Sequence, residues 1–159
     1  MLAALAACRG ADPASYSARD PCAALAVAVV MPTSLERDAI GDALALWRDH
    51  GVAAFDAALD GTAGAPPVPA APTIAIEFDA AAAAFHGVYD PAADRVLINR
   101  AIDDRATLAI VIAHELGHVF GLVHIAPAAR ISLMNPGNLV TPPTDADQRA
   151  LDALWGACR

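Results

Sequence analysis

His114-Glu115-Leu116-Gly117-His118-Val119-Phe120-Gly121-Leu122-Val123-His124 is the stretch on which the reading of this chain turns. Three of the five histidines fall inside it, spaced H-E-x-x-H-x-x-G-x-x-H. Histidines four residues apart lie one above the other on one face of a helix, close enough to hold a single ion. Gly121 is suited to the left-handed conformation that ends a helix and turns the chain. Such a turn brings His124 back toward His114 and His118 as a third nitrogen. Three imidazoles around a tetrahedral zinc leave one position for water, which is the arrangement of a catalytic rather than a structural site.

The chemistry follows from the residue types. Zinc lowers the pKa of bound water from about 15.7 to roughly 7 and polarises a carbonyl. Glu115, adjacent to the first ligand, is placed to act as general base, taking a proton from water and returning it to a leaving amine. The spacing therefore predicts hydrolysis of peptide bonds without a covalent intermediate, with one catalytic Zn2+. A single histidine in an apolar stretch is most often a satisfied core residue, but the extended spacing specifies far more than chance supplies.

Ser132-Leu133-Met134-Asn135-Pro136 follows, with Met134 ten residues after His124. Alone, a methionine there reads as packing, a soft side chain filling an irregular gap. Coupled to the zinc motif, it resembles the Met-turn of the metzincin metalloproteases. Within them the chain is most similar to the matrixin (matrix metalloprotease-like) catalytic domain in a bacterial form. Ala43-Leu44-Ala45-Leu46-Trp47 followed by Val52-Ala53-Ala54-Phe55 resembles that family's first helix and second strand. Thr144 to Gly156, ending Leu154-Trp155-Gly156, resembles its last helix.

The resemblance covers roughly residues 24–156 and implies an α/β (α+β) zincin fold. That means a twisted, mostly parallel five-stranded sheet with an antiparallel edge strand, two long helices, and a small C-terminal subdomain carrying the Met-turn and last helix. It also implies that Asp147 supports the Met-turn through hydrogen bonds, although an Asp in a helix's first turn is often only a favourable dipole partner. Histidine ligands for a second zinc are not evident, since only His50 and His86 lie outside the motif. No tyrosine closely follows Met134, so a fifth, tyrosine ligand is not expected, and calcium is left open. Pro136-Gly137-Asn138 departs from the Pro-x-Tyr of vertebrate matrixins, so the depth of the pocket beside the scissile bond does not carry over.

Composition narrows the class. The chain has 159 residues, enough for one domain with a sizeable core. Its formal net charge is −8, with no basic cluster, which argues against nucleic acid as a partner. The 57% apolar content is largely alanine, and no long strongly apolar run predicts a membrane span. Leu5-Ala6-Ala7-Cys8 fits a bacterial lipobox, making Cys8 a candidate lipid anchor. The apolar run before it is short and lacks a basic start, so a plain alanine-rich terminus is the competing reading. Residues 1–21 are thus assigned as export segment and tether, and 22–159 as the catalytic domain. Cys22 and Cys158 would join in an oxidising compartment, a bridge worth ~2–4 kcal/mol, or stay free thiols in the cytosol. The protein is expected outside the cytoplasm, secreted or as an envelope lipoprotein, and as a monomer.

Along the chain, 24–30 reads as a first strand, and Pro32-Thr33-Ser34 as the cap of a helix to about His50. Leu35, Ala39, Ala43, Leu46 and Trp47 form that helix's apolar stripe. Residues 60–72 form a Gly/Pro-rich loop. Ile74, Ile76 and Phe78 alternate with Ala75 and Glu77 as a half-buried strand. Phe85–Tyr89 and Arg95–Asn99 flank a turn and predict a hairpin. By the resemblance, the first of these is the edge strand along which a protein or peptide substrate binds in extended form; without it, a plain edge strand is preferred. Asp103 and Asp104 start the motif helix. The rival function is a non-catalytic zinc-containing binding module on the same fold, against which the presence of Glu115 speaks.

Overall fold

The computed structural model describes residues 18–23, 25–52, 55–56 and 72–158. Five strands form one mixed sheet in the order β2-β1-β3-β5-β4. They are β1 (Leu25–Val29), β2 (Phe55–Asp56), β3 (Thr73–Asp79), β4 (Gly87–Asp90) and β5 (Arg95–Asn99). All neighbours are parallel except β4 and β5, which form an antiparallel hairpin. At two residues, β2 is a minimal edge, leaving four strands to carry the sheet. Three helices complete the α+β fold: α1 (Ser34–Asp49), α2 (Arg105–Val119) and α3 (Asp145–Trp155).

Local chemistry accounts for the helix boundaries. Thr33 caps α1 in a full capping box, its side chain accepting from Glu36 N while Glu36 accepts from Thr33 N. Glu36 is also buried and paired with Arg100 at 2.8 Å, which ties the start of α1 to the segment after β5. Asp104 caps α2, accepting from Thr107 N at 2.7 Å, and hydrogen bonds from the Thr107 side chain and then its backbone N–H lower the Asp104 carboxyl pKa. Thr144 and Asp147 form the capping box of α3.

The core lies where α1 packs against α2 and both meet the sheet. The buried side of α1 is Ala39, Ile40, Ala43, Leu44 and Trp47, whereas Leu35 and Leu46 are only partly covered. The expected stripe is thus rotated: it shares Ala39, Ala43 and Trp47 but centres on Ile40 and Leu44. On α2, every residue from Leu108 to Val119 is buried. A helix apolar all round is a core helix, which is why this segment shows no polar face. In β3, Ile74 and Ile76 are buried and Phe78 partly so, as the alternation requires.

Residues 18–21, the described end of the segment assigned as tether, meet the rest of the fold. Arg19 N donates to Val119 O at 2.8 Å, the Arg19 guanidinium pairs with Asp94 at 2.5 Å, and Pro21 is buried. The lipobox residues around Cys8 and most of the 60–72 loop lie outside the described residues. Cys22 and Cys158 are joined in a disulfide across a sequence separation of 136, Cα–Cα 5.1 Å. Such a bridge persists in an oxidising environment. Among the described residues no helix is long and apolar enough to cross a membrane.

Candidate metal centre

The buried helix α2 presents His114 and His118 one turn apart, and Gly121 leaves it at φ +91°. The turn is closed by Gly121 N to His118 O at 3.0 Å and Leu122 N to Gly117 O at 2.9 Å. That reversal returns His124 to the pair. Its Nε2 lies 3.1 Å from Nε2 of His114 and 3.2 Å from Nε2 of His118. His114 and His118 are buried, and His124 is partly exposed.

Backbone carbonyls fix two of the rings. Nδ1 of His114 is 2.8 Å from Leu133 O, and Nδ1 of His118 is 2.8 Å from Leu122 O. A carbonyl only accepts, so each Nδ1 carries the proton and each Nε2 presents a lone pair. Burial pushes the His114 pKa down to about 4 and that of His118 to about 3, and lowers that of His124. At neutral pH three uncharged imidazoles therefore turn their nitrogens toward one point. Three nitrogens with at most one shareable proton repel one another unless a cation lies between them. The set fits a metal ion, and it is one that nitrogen-ligated metals favour.

The turn at 132–136, whose Leu133 carbonyl meets His114, is itself held from below by Asp147. Ser132 Oγ donates to Asp147, as does Leu133 N at 3.0 Å, while Met134 N donates to Ser132 Oγ at 3.0 Å. Asp147 is wholly buried and also accepts from Thr144 N and Oγ1 at 2.9 and 2.8 Å. It is thus both helix cap and anchor of the turn, so the two readings of this residue are not exclusive. Met134 is buried beneath α2, where a Cβ on Gly117 would come within 2.5 Å of its Sδ. Only glycine at 117 lets that thioether approach so closely.

Glu115 is buried beside His114. Its side chain lies against β4, where a Cβ on Gly87 would be 3.1 Å from Glu115 Cγ and 3.2 Å from Oε1. Among the described residues β4 pairs only with β5 and is an edge strand of the sheet. His50 and His86 stand apart from the cluster: His50 ends α1, and His86 contributes its carbonyl to Asn99 N.

The hydrogen bonds by which several residues support the site carried no sequence signal. Asn99 holds the loop before β4, donating to Phe85 O at 2.8 Å and Ala82 O at 3.2 Å and accepting from Ala101 N. Asn138, which stands where the resemblance expected another pattern, donates to Leu133 O at 3.0 Å and Thr141 O at 2.7 Å. It thus occupies the second lone pair of the carbonyl that orients His114. Trp47 Nε1 donates to Ala113 O at 2.9 Å, pinning α2 one residue before the motif. Asparagine clusters in loops are a general turn signal, and nothing in their spacing identifies the carbonyl each one meets.

No family model matches the chain, and no curated protein matches it either.

Proposed function

We propose that the protein is a zinc-dependent metalloendopeptidase of metzincin type, similar to the matrixins, acting outside the cytoplasm. His114, His118 and His124 would hold the ion, and Met134 forms the floor below. For zinc–nitrogen bonds of about 2.0–2.1 Å in a tetrahedron, ligand nitrogens stand ~3.3 Å apart. The Nε2 separations of 3.1 and 3.2 Å are close to that. When bound, the ion would supply Lewis acidity, acidifying water and polarising a carbonyl.

The chain's own groups supply the rest. Glu115 takes the proton of the attacking water and delivers it to the leaving amine. The outer edge of β4 receives a protein or peptide substrate as an added strand, with main-chain hydrogen bonds giving affinity. Gly87, without a side chain, brings that strand next to the Glu115 carboxylate. The disulfide supports an extracytoplasmic location.

The observation that carries this reading is the convergence of three imidazole nitrogens beside a buried glutamate at an edge strand. Cleavage of a peptide library, read by mass spectrometry with and without a zinc chelator, tests it. Glu115→Gln is expected to keep about one metal per chain and to lose cleavage. Equally little cleavage by wild type and Glu115→Gln would favour a zinc-containing binding module instead.

A further inference from the structure

The carbonyl end of α2 is finished by segments from opposite ends of the chain. A helix cannot satisfy its own last carbonyls. Here Val119 O accepts from Arg19 N at 2.8 Å, and Phe120 O accepts from Trp155 Nε1 at 2.9 Å. Arg19 lies three residues before Cys22 and Trp155 three before Cys158, and the disulfide joins the two donor segments. Gly121 sits between them. A Cβ there would be 3.0 Å from Ala18 Cβ and 3.8 Å from Leu154 Cδ1. The turn that returns His124 is therefore gripped on both flanks.

His124 depends on this grip more than its partners do. His114 and His118 are each oriented by a backbone carbonyl, whereas among the described residues the His124 ring nitrogens are hydrogen-bonded only to the other two imidazoles. Downstream it is steadied by Ile125 N to Met134 O at 3.0 Å. Upstream, the Gly121 turn and its clamp lead the chain into the ring's position. The donor from α3 is weakly protected, since Trp155 is 37% and Leu154 56% exposed.

We propose that the Cys22–Cys158 bridge, with Trp155 as a positioning residue, holds His124 in register, so that metal retention depends on the redox state of this disulfide. The inference rests on the three histidines being the metal site. A dithiol reductant would break the S–S bond with two electrons and two protons, leaving two thiols and itself becoming a disulfide. The terminal segments would then be held by their hydrogen bonds and packing alone. The end of α3 would fray, Phe120 O would lose its donor, and the 121–124 turn would loosen.

The test uses the full chain in three forms: oxidised; reduced, alkylated and freed of reductant; and oxidised Trp155→Phe, which keeps an aromatic ring but no donor. Each is loaded with Co2+ or Zn2+. The readouts are the visible cobalt spectrum, the rate of metal loss to a chelator, and amide hydrogen exchange. The reduced form and Trp155→Phe are expected to lose metal about tenfold faster, the lower end of what loss of a supporting partner costs a metal site. Amides of 121–124 should exchange faster while those of 108–116 keep their protection. Equal metal-loss rates and unchanged exchange at 121–124 overturn the proposal. If reduction unfolds the whole chain, Trp155→Phe alone decides. If the oxidised wild type takes up no metal, the metal-site reading fails, and exchange at 121–124 still decides whether the clamp holds the turn.

Discussion

Replacing Asp147 with alanine tests the link between the floor of the site and the stability of the fold. The carboxylate is wholly buried and accepts from Ser132 Oγ, Leu133 N, Thr144 N and Thr144 Oγ1. Alanine strands all four donors. Thr144 is only partly buried and can turn to water, so its loss is mainly that of a capping-box arm, about 1 kcal/mol. Ser132 and Leu133 are fully buried. Each stranded donor there costs about 1–3 kcal/mol. The sum is roughly 3–7 kcal/mol, a large part of the ~5–15 kcal/mol that holds an ordinary domain together. Urea denaturation of metal-free protein should show it as a lower midpoint at unchanged slope. Asp147→Asn keeps one acceptor oxygen and should lose about half as much. The effect should also reach the metal, because Leu133 N is held by Asp147 while Leu133 O orients His114. A control of similar cost far from the turn is Ile74→Ala in β3, expected at about 2–5 kcal/mol. Asp147→Ala should release metal faster than Ile74→Ala when both are fully folded. A loss below about 1 kcal/mol, or equal metal release by the two variants, would refute this reasoning.

Gly87→Ala should leave metal content intact and lower kcat about tenfold with little change in KM, because the new methyl meets Glu115 at 3.1–3.2 Å and displaces it by a few tenths of an ångström. Steady-state kinetics on a cleaved peptide check this, and an unchanged kcat would mean that the carboxylate needs no such clearance. The chelated protein should become less stable as pH falls from 6.5 toward 4. The folded-state pKa values of His114 and His118, about 4 and about 3, lie below the unfolded value near 6.5. The unfolded chain therefore binds more protons in that window, and stability fully present above it is lost on the way down. By pH 5 the loss is at most about 2 kcal/mol per histidine. Thermal melts at pH 7.5 and 5.0 should show a steeper fall for wild type than for His114→Gln/His118→Gln, and parallel falls would contradict the burial argument.

The parts of this molecule that were legible in its sequence are those written in side chains. Histidine spacing placed the three imidazoles, and strand alternation gave β3. Thr33, Asp104 and Thr144 announced three helices. What stayed hidden was written in backbone. The partners that orient His114 and His118 are carbonyls of Leu133 and Leu122, and a carbonyl is the same atom at every residue. Gly87 carried no cue because its φ is not left-handed; it matters only for the space it leaves beside Glu115. The α1 stripe was read one strip off because Leu35 and Leu46 look as apolar as Ile40 and Leu44. Only packing against α2 separates them. The Cys22–Cys158 pairing stayed open in the sequence because two cysteines 136 residues apart say nothing of distance until a fold brings their Cα atoms to 5.1 Å.

The burial of α2 binds stability and chemistry together. Because 108–119 forms the centre of the core, His114 and His118 had to be oriented by whatever backbone surrounds that helix. The same apolar surroundings keep their rings neutral well below neutral pH, so a metal ion meets little competition from protons. They also leave three imidazole nitrogens crowded at about 3 Å without a countercharge, a local cost that a bound cation reverses. An ion taken up only by the folded state stabilises it by RT ln(1 + [M]/Kd), about 4 kcal/mol at a thousandfold excess over Kd. A core helix carrying such a site would be less stable empty than filled. Clamping its carbonyl end from both flanks meets that demand at His124, the most exposed of the three imidazoles.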